Sequence, residues 1–342
     1  MRIYMDDLED KHVTMRIAIL MPLYNDWESF IQLAKAIDDF VPTWGVQATL
    51  FVVDDGSTTE MDQERLPRLR HLSSIERITL FANLGHQRAI AVGLCELARS
   101  GTFDAVIIAD SDGQDRPEHM SELIAAHRQN PEALIAAKRT KRSENIVFRL
   151  SYAAYKHLFK LLTGKAIDFG NFCLVPQSHL QRLAHMPEAW NHLAAATVRS
   201  RLPIIRVATP RGERTAGRSS MNMLNLIVHG LSAISVFTDI LFVRLLVFSG
   251  CIAGVALAAS AVATIIRFTT QLPIIGLPTL IVGFSGVVLF QSATFVVIAA
   301  LMMLATRSSF PFVPAHHAGR FIARKERIAT SLPTECPPDD HE

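Results

Sequence analysis

Short apolar runs rich in branched residues alternate with amphipathic segments through the N-terminal part of the chain. The runs read RIAILMP, ATLFVVD, RITLF, DAVIIA and ALIAA. Between them, apolar residues recur at helical spacing, as in 28–40 and 86–99. Strands that alternate with helices in this way predict an α/β fold, in which a mostly parallel, Rossmann-like sheet has helices on both faces.

Two longer apolar stretches lie near the C-terminus. Residues 245–266 and 279–304 contain no Asp, Glu, Lys or Arg, and each reaches the roughly 20 residues that an apolar helix needs to cross a bilayer. We interpret them as two transmembrane helices in a region at 239–305. Gly250 and Gly254 form a small-x-x-x-small pair that could join membrane helices into a homo-oligomer, although glycine is also common in such helices for other reasons.

Basic residues flank this region on both sides, which predicts its orientation. They are Arg206, Arg211, Arg214, Arg218 and Arg244 before the first span, and Arg307, Arg320, Arg324, Lys325 and Arg327 after the second. The segment between the spans has only Arg267 as a basic residue, so the positive-inside rule places both flanks in the cytoplasm. The N-terminus MRIYMDDLEDKHVTM has acids where a signal peptide would be basic. We therefore expect a multi-pass inner (cytoplasmic) membrane protein with its first domain and both termini in the cytoplasm.

The remaining boundaries follow from composition. Residues 221–238 have apolar positions at helical spacing with Asn222, Asn225 and His229 between them, which is typical of an interfacial helix on a lipid bilayer. We expect an N-terminal tail at 1–14, the α/β domain at 15–220, and a weakly ordered cytoplasmic tail at 306–342.

Composition and charge limit the classes of partner. The chain of 342 residues is 49% hydrophobic, which is high for a purely soluble protein. Its formal net charge of +2 is too close to balance for a nucleic-acid partner. The four cysteines have no metal-binding spacing, so we interpret them as unpaired thiols in a reducing compartment.

Polar residues follow several of the predicted strands. The segments MPLYND, VVDDGST, ANLGHQ and ADSDGQD each come directly after an apolar run. Because ligands of parallel α/β sheets bind beyond the carboxyl ends of the strands, these groups are expected to meet in one pocket. The alternative is that Asp, Gly and Ser simply terminate the strands. His86, at the predicted start of a helix, could likewise meet a phosphate with its neighbouring amides or be structural.

The pair Asp110 and Asp112 is the strongest chemical signal. Residues two apart in an extended segment point to the same side, and carboxylates are hard oxygen ligands for Mg²⁺ or Mn²⁺. Like charges brought this close are unfavourable without a cation. We predict that Asp110, Asp112 and Gln114 hold a divalent metal while a nucleotide diphosphate supplies further oxygens.

Six motifs follow one another along the chain: MPLYND, VVDDGS, NLGHQRAIAVGL, DSDGQDRPE, DFGNFCL and RGERTAGRSSMN. Their order, followed by two membrane spans, resembles that of the polyprenyl-phosphate glycosyltransferases of glycosyltransferase family 2. This group includes the bactoprenol glucosyltransferases and dolichol-phosphate mannose synthases. The resemblance covers about residues 15–310 and implies a GT-A fold.

The resemblance also implies roles for particular residues. Pro22, Tyr24, Asp54 and Asp55 would line the nucleoside pocket, with Asp26 beside them. Asp110, Asp112 and Gln114 would form the metal and diphosphate motif. The basic segment with Arg211, Arg214, Ser219 and Ser220 would lie near the phosphates of donor and acceptor. Independently of the resemblance, Asp168 at the start of DFGNF is a candidate base or sugar-orienting residue, unless it only caps or ends a strand. The arginines could instead anchor to anionic lipid.

The chain departs from the family pattern at three places. Asp26 replaces a more common Glu, Ser111 and Gly113 stand in a motif that commonly reads DADLQD, and DFGNF has Gly170 and Asn171 where an arginine is frequent. These departures affect the reach of the first acid, the metal geometry, and sugar or acceptor recognition.

The implied reaction is inverting transfer of a hexose from a nucleotide-sugar donor, with UDP-glucose favoured, to polyprenyl phosphate. A lipid phosphate is already ionised, so the protein mainly positions the reactants and stabilises the departing diphosphate. One alternative is a family 2 glycosyltransferase with another acceptor, and another is a catalytically silent nucleotide-binding membrane scaffold.

Overall fold

A computed structural model describes residues 14–139, 146–210, 212, 223–269, 276–308 and 310–331. Within these ranges the strands are β1 (Arg16–Leu23), β2 (Gln47–Asp54), β3 (Ser74–Leu80), β4 (Ala105–Ile108), β5 (Leu134–Arg139), β6 (Cys173–Pro176), β7 (Ile204–Thr209) and β8 (Ile322–Thr330). The helices are α1 (Trp27–Trp44), α2 (His86–Ser100), α3 (Pro117–Gln129), α4 (Ile146–Thr163), α5 (Gln177–Ala184), α6 (Leu193–Arg199), α7 (Met223–Ser235), α8 (Thr238–Thr269), α9 (Leu277–Ser308) and α10 (Pro314–His317).

The strands form one mostly parallel sheet, as the alternation of strands and helices predicts. Their order is β7-β5-β6-β4-β1-β2-β3-β8. Strands β1 to β4 pair in parallel, as do β5 and β7, whereas β6 and β8 run antiparallel to their neighbours. The carboxyl ends of β1, β2, β3 and β4 therefore meet at one edge of the sheet.

Helices cover both faces of the sheet. In β1, Ile17, Ile19 and Met21 belong to the core that includes α1 and α3 residues, whereas Ala18 and Leu20 belong to the core that includes α2 and α5 residues. All but the first residue of β1 is buried. This two-sided burial explains why the strand reads as an unbroken apolar run.

The chain divides into two units. One contains the sheet and comprises Met1–Arg149, Ile167–Ala233 and Phe312–Glu342; the other comprises Leu150–Ala166 and Ile234–Pro311. Two helical segments of the second unit, Thr238–Thr269 and Thr279–Ala305, are long and apolar enough to cross a membrane. Only 11% and 6% of their most apolar stretches is buried by protein, which is unlike a helix in a soluble core.

The C-terminal segment differs from the weakly ordered tail that the sequence predicts. Its residues 322–330 form β8, which pairs antiparallel with β3 and closes one edge of the sheet. Three of its charged side chains face opposite charges: Lys325 pairs with Glu96, Glu326 with Arg77, and Arg327 with Glu76. The sequence did not predict this strand because its many charged residues do not form the apolar pattern of a buried strand. Its pairing depends instead on β3, which is far away in the sequence.

Candidate active site

The loops after β1 and β2 are joined through Asn25. Its side-chain oxygen accepts hydrogen bonds from the backbone N–H groups of Thr58 at 2.8 Å and Thr59 at 3.1 Å. Asn25 adopts a positive φ of 56°, which Asn tolerates better than most residues. Tyr24 beside it is 48% exposed at the carboxyl end of β1, so its ring is accessible to a ligand.

The two acids of VVDDGS are buried and hold neighbouring loops. Asp54 accepts a hydrogen bond from the Ser57 N–H at 2.9 Å and forms an ion pair with Arg77. Asp55 accepts from the N–H groups of Leu84 at 2.7 Å and Gly85 at 2.9 Å, at the start of α2. Burial raises the pKa of the Asp55 carboxyl above its ordinary value, although these two hydrogen bonds oppose the change.

Gly56 is required by the turn that follows these acids. Its φ is +68°, and a Cβ there would lie 2.7 Å from the backbone carbon of Ala82. No side chain fits so close to a neighbouring backbone. The turn therefore brings the loop after β2 against the loop after β3.

The loop after β4 holds the predicted metal residues. Asp112 accepts a hydrogen bond from the Gln114 N–H at 3.0 Å, and Gly113 forms the turn with a φ of +81°. The buried hydroxyl of Ser111 donates to the Pro22 carbonyl at 3.0 Å, which joins this loop to the end of β1. Asp110, Asp112 and Gln114 are partly exposed, so one short loop presents all three.

The buried side chain of Asp115 stabilises this loop. Asp115 was not among the predicted site residues. It accepts from the Asp110 N–H at 2.9 Å and pairs with Arg139 at 3.1 Å. Burial, reinforced by Asp110, raises the pKa of Asp115 to about 7, although Arg139 opposes the change. Its position in DSDGQD was visible in the sequence, but its burial was not.

A cluster of histidines lies beside Asp110. The His86 Nε2 atom is 3.3 Å from the Asp110 carboxylate and 3.0 Å from the Asn171 amide nitrogen. Burial lowers the pKa of His86, but Asp110 and the other acids of the loop outweigh burial and raise it. His86 is thus in contact with the candidate metal residues rather than only at a helix start.

Two further histidines, which sequence reasoning did not assign to the site, pack on each other nearby. The rings of His192 and His229 are 4.5 Å apart. Burial, followed by the effect of His229, lowers the pKa of His192 to about 3. Burial also lowers the pKa of His229, and His86 adds to the effect. His229 belongs to α7 and lies in the part of that helix that is assigned to the unit containing the sheet.

Asp168 lies between two cations, Lys138 of β5 and Arg206 of β7. It contacts Arg206 at 2.7 Å and Lys138 at 3.2 Å. Burial raises the pKa of Asp168, but the hydrogen bonds from Arg206 and Lys138 outweigh it and lower the pKa below its ordinary value. A carboxylate held in this way accepts protons poorly.

The predicted phosphate-binding residues Arg211, Arg214, Ser219 and Ser220 lie outside the described residues. Gly212 is described, and its N–H donates to the Gln114 carbonyl at 3.1 Å. A Cβ at Gly212 would lie 2.8 Å from that carbonyl oxygen. The chain at this point therefore lies directly against the loop of Asp110 and Asp112.

The described part of the chain contains no group of three or more His, Cys, Asp or Glu side chains arranged to hold a metal ion. It does bring the ends of β1 and β4 together through Ser111, and the ends of β2 and β3 through Asp55. Asp26 is half-buried before α1. Asp168 is bound to a separate set of partners, Arg206 and Lys138.

Comparison with known proteins finds a family match in the N-terminal part of the chain. Residues 18–183 match the family model described as glycosyl transferase family 2. This match spans slightly less than half of the 342-residue chain and agrees with the family that the motifs resemble.

Particular relatives carry more specific names. The chain is 24% identical over 222 residues to undecaprenyl-phosphate 4-deoxy-4-formamido-L-arabinose transferase of Klebsiella pneumoniae subsp. pneumoniae, covering 62% of this chain and 64% of the relative. It thus spans slightly less than two thirds of the length of that relative. The name of that relative refers to undecaprenyl phosphate, which is a polyprenyl phosphate.

Two solved structures are also similar. Glucosyl-3-phosphoglycerate synthase from Mycobacterium tuberculosis, solved with Mn²⁺ and uridine-diphosphate-glucose, has a TM-score of 0.43 at 12% identity over 66% of this chain and 79% of that one. S. aureus TarS 1-349 has a TM-score of 0.37 at 15% identity over 58% of this chain and 59% of that one.

Proposed function

We propose that the protein is an inverting, metal-dependent glycosyltransferase that moves a hexose from a nucleotide diphosphate sugar to polyprenyl phosphate at the cytoplasmic face of a membrane. The observation that carries the proposal is the loop after β4 in a family 2 domain. Its partly exposed carboxylates Asp110 and Asp112 lie at the carboxyl ends of parallel strands, where ligands of such sheets bind.

The residues of this loop fit a hard divalent cation. Asp110, Asp112 and Gln114 offer carboxylate and amide oxygens, which Mg²⁺ and Mn²⁺ prefer. A cation that takes its other ligands from a diphosphate does not need a third acidic or histidine ligand from the protein. When bound, the cation would neutralise charge on the departing diphosphate.

The loops after β1 and β2 are the proposed nucleoside pocket, with Pro22, Tyr24, Asp26, Asp54 and Asp55 in or beside it. The exposed ring of Tyr24 has the flat apolar face on which a base can stack. Asp54 and Asp55 shape the pocket by fixing the turns after β2 and β3. Their buried hydrogen bonds suggest that they act mainly by positioning these loops.

Phosphate binding is proposed for the basic segment that begins at Arg211. The contact of Gly212, a described residue of this segment, with Gln114 in the metal loop supports this assignment. Arg211 and Arg214 would hold phosphate oxygens through charge-assisted hydrogen bonds, with Ser219 and Ser220 adding hydroxyl donors.

No strong general base is needed, because the phosphate of the acceptor is already ionised near neutral pH. The lowered pKa of Asp168 makes it a weak base. We therefore assign Asp168 a positioning role: it orients the side chains of Arg206 and Lys138 and does not remove a proton. The protein accelerates the single displacement mainly by alignment and by stabilising the leaving group.

The membrane helices support a lipid-borne acceptor. The curated relative is named as a transferase to undecaprenyl phosphate, and α8 and α9 leave most of their apolar surface uncovered by protein. The chain enters the two-helix region from the unit that contains the sheet and returns to that same unit at β8. If α8 and α9 each cross the membrane once, the segments before and after them lie on the same side, as the proposed cytoplasmic location of both flanks requires. Association of copies through Gly250 and Gly254 stays a prediction.

The donor sugar is the finest part of the proposal. UDP-glucose is the first donor to test, and a nucleotide-linked 4-deoxy-4-formamido-L-arabinose, the sugar in the name of the relative, is the second. Gly170 and Asn171 lie in the segment where sugar recognition is expected to differ, and Asn171 hydrogen-bonds to His86 beside Asp110.

The test is transfer of radiolabelled sugar from a panel of UDP- and GDP-sugars to polyprenyl phosphate in detergent, with Mn²⁺, Mg²⁺ or EDTA. We expect a labelled lipid that requires the metal and is reduced about 100-fold or more by Asp112→Asn. Asp39→Asn is the matched control, because Asp39 is exposed on α1. No lipid product from any donor, with a folded protein that still binds UDP, would reject the proposed acceptor.

A further inference from the structure

We infer that β8, which follows the membrane helices in the chain, positions the donor site: Glu326 on β8 fixes Arg77, and Arg77 fixes Asp54 in the loop after β2. The inference rests on the proposed function, because that function makes this loop part of the nucleoside pocket. It assigns a role in donor binding to a strand at the far edge of the sheet.

The first link is between β8 and β3. Arg77 and Glu326 are directly opposite each other in the antiparallel register. The Arg77 Nη1 atom lies 3.8 Å from the Glu326 carboxylate, and both side chains are only 18% exposed. Such a sheltered pair is screened less by water and salt than a pair on the open surface.

The second link is between Arg77 and the loop after β2. The other terminal nitrogen of Arg77 contacts the Asp54 carboxylate, whose side chain is 1% exposed. The second oxygen of Asp54 accepts from the Ser57 N–H at 2.9 Å. The guanidinium thus connects Glu326 on one side with the turn at Ser57 on the other.

The position of the guanidinium depends on few other contacts. It lies over the Trp27 ring, with 4.8 Å between its central carbon and the ring centroid. Its Nε atom is buried and has no hydrogen-bond partner among the described residues. Glu326 and Asp54 are therefore the two carboxylates that position the Arg77 guanidinium. Loss of either carboxylate changes the electrostatic attraction that acts on this group.

Trp27 extends the same network to the end of β1. Its ring N–H donates to the Thr59 carbonyl at 3.0 Å, and Asn25 binds the Thr58 and Thr59 amides. Arg77 therefore contacts both sides of the 54–59 loop: Asp54 at its beginning and, through Trp27, Thr59 at its end. Displacement of Arg77 is expected to loosen this loop and weaken nucleotide binding without removing any group that touches the metal.

The same pair of strands offers a matched control. Glu76 and Arg327 are also opposite each other and are joined at 2.7 Å. This pair is more exposed on its arginine side, at 61%. The described contacts of Glu76 lead to Ser74 and Arg327, not to Asp54. Arg327→Gln therefore removes a β3–β8 ion pair and leaves the connection to the loop intact.

The experiment compares full-length Glu326→Gln with Arg327→Gln in detergent. We expect Glu326→Gln to raise the Kd for UDP with Mn²⁺ and the KM for the donor sugar by about three- to tenfold, the range of a partly buried ion pair, with kcat changed less than KM. Backbone amides of residues 56–59 should exchange hydrogen faster by a similar factor. Arg327→Gln should leave both quantities near wild type, and Glu326→Asp should restore part of the affinity.

Two results would overturn the inference. One is equal UDP affinity and equal exchange at 56–59 in the two variants; the other is a general loss of stability in Glu326→Gln, seen as faster exchange throughout the sheet. If wild type bound no nucleotide diphosphate, the proposed function would fail. The exchange comparison would then still decide whether Glu326 orders the loop through Arg77.

Discussion

The two acidic loops of the sheet edge resemble each other in sequence and differ in structure. In the loop after β2, Asp54 and Asp55 are buried and accept hydrogen bonds from protein donors. In the loop after β4, Asp110 and Asp112 are partly exposed. The buried acid there is Asp115, which stabilises the loop by accepting a hydrogen bond from the Asp110 N–H. The difference teaches that a cluster of carboxylates indicates a ligand only where some of them reach the surface, because buried ones are needed for the fold.

The histidines show the same contrast. His86 is partly exposed beside Asp110, whereas His192 is buried against His229. We therefore expect substitutions of the buried groups to change stability first, and those of the exposed groups to change transfer first.

The largest expected effect on stability is at Asp54. Asp54→Asn removes the charge that faces Arg77 in a buried site and is expected to lower the free energy of unfolding by about 2–3 kcal/mol. Denaturant unfolding in detergent measures it, with Asp39→Asn as the exposed control. If the Asp54→Asn variant were as stable as wild type, the buried carboxylate of Asp54 in the loop after β2 would not be needed for the fold.

An intermediate effect is expected from pH at His192. Because its folded pKa of about 3 lies below the ordinary value of 6.5, the unfolded chain binds a proton that the folded protein does not. Stability contributed by neutral His192 is thus present above pH 6.5 and is lost as the pH falls toward 3, by roughly 1 kcal/mol per pH unit.

Replacement of His192 should therefore flatten the pH profile. We expect His192→Gln to lose less stability than wild type between pH 6.5 and 5, as measured by unfolding at each pH. His185→Gln is the control, because His185 is exposed. Parallel profiles for wild type and His192→Gln would show that His192 takes up its proton in the folded state.

The smallest expected effect is at Ser111. Its buried hydroxyl donates to the Pro22 carbonyl and joins the loops after β4 and β1. Ser111→Ala should lower stability by about 1 kcal/mol and raise the metal concentration needed for half-maximal transfer, because the neighbouring Asp110 and Asp112 are held less firmly. If the metal requirement stayed at its wild-type value, the Ser111 bond would serve only the fold.

Much of the fold was predictable because it is written in local patterns. The runs at β1, β2 and β4 are apolar on both faces, and the helix-spaced segment at α2 begins at His86 as predicted. The uncharged stretches of α8 and α9 needed only their length and composition. The DSDGQ segment indicated the loop of Asp110 and Asp112 because polar residues directly follow a buried strand.

Sequence by itself determined the alternation of strands and helices, the two apolar helices and the acidic loop at the sheet edge, since each depends on residues that are close in the chain. Only the tertiary structure decided which acids are buried, that His192 and His229 meet near Asp110, and that β8 pairs with β3. Arg327 and its partner Glu76 are 251 residues apart, and no local period records such a pairing. The physical reason is that burial and ion pairing belong to contacts between distant segments, which form only when the sheet is assembled.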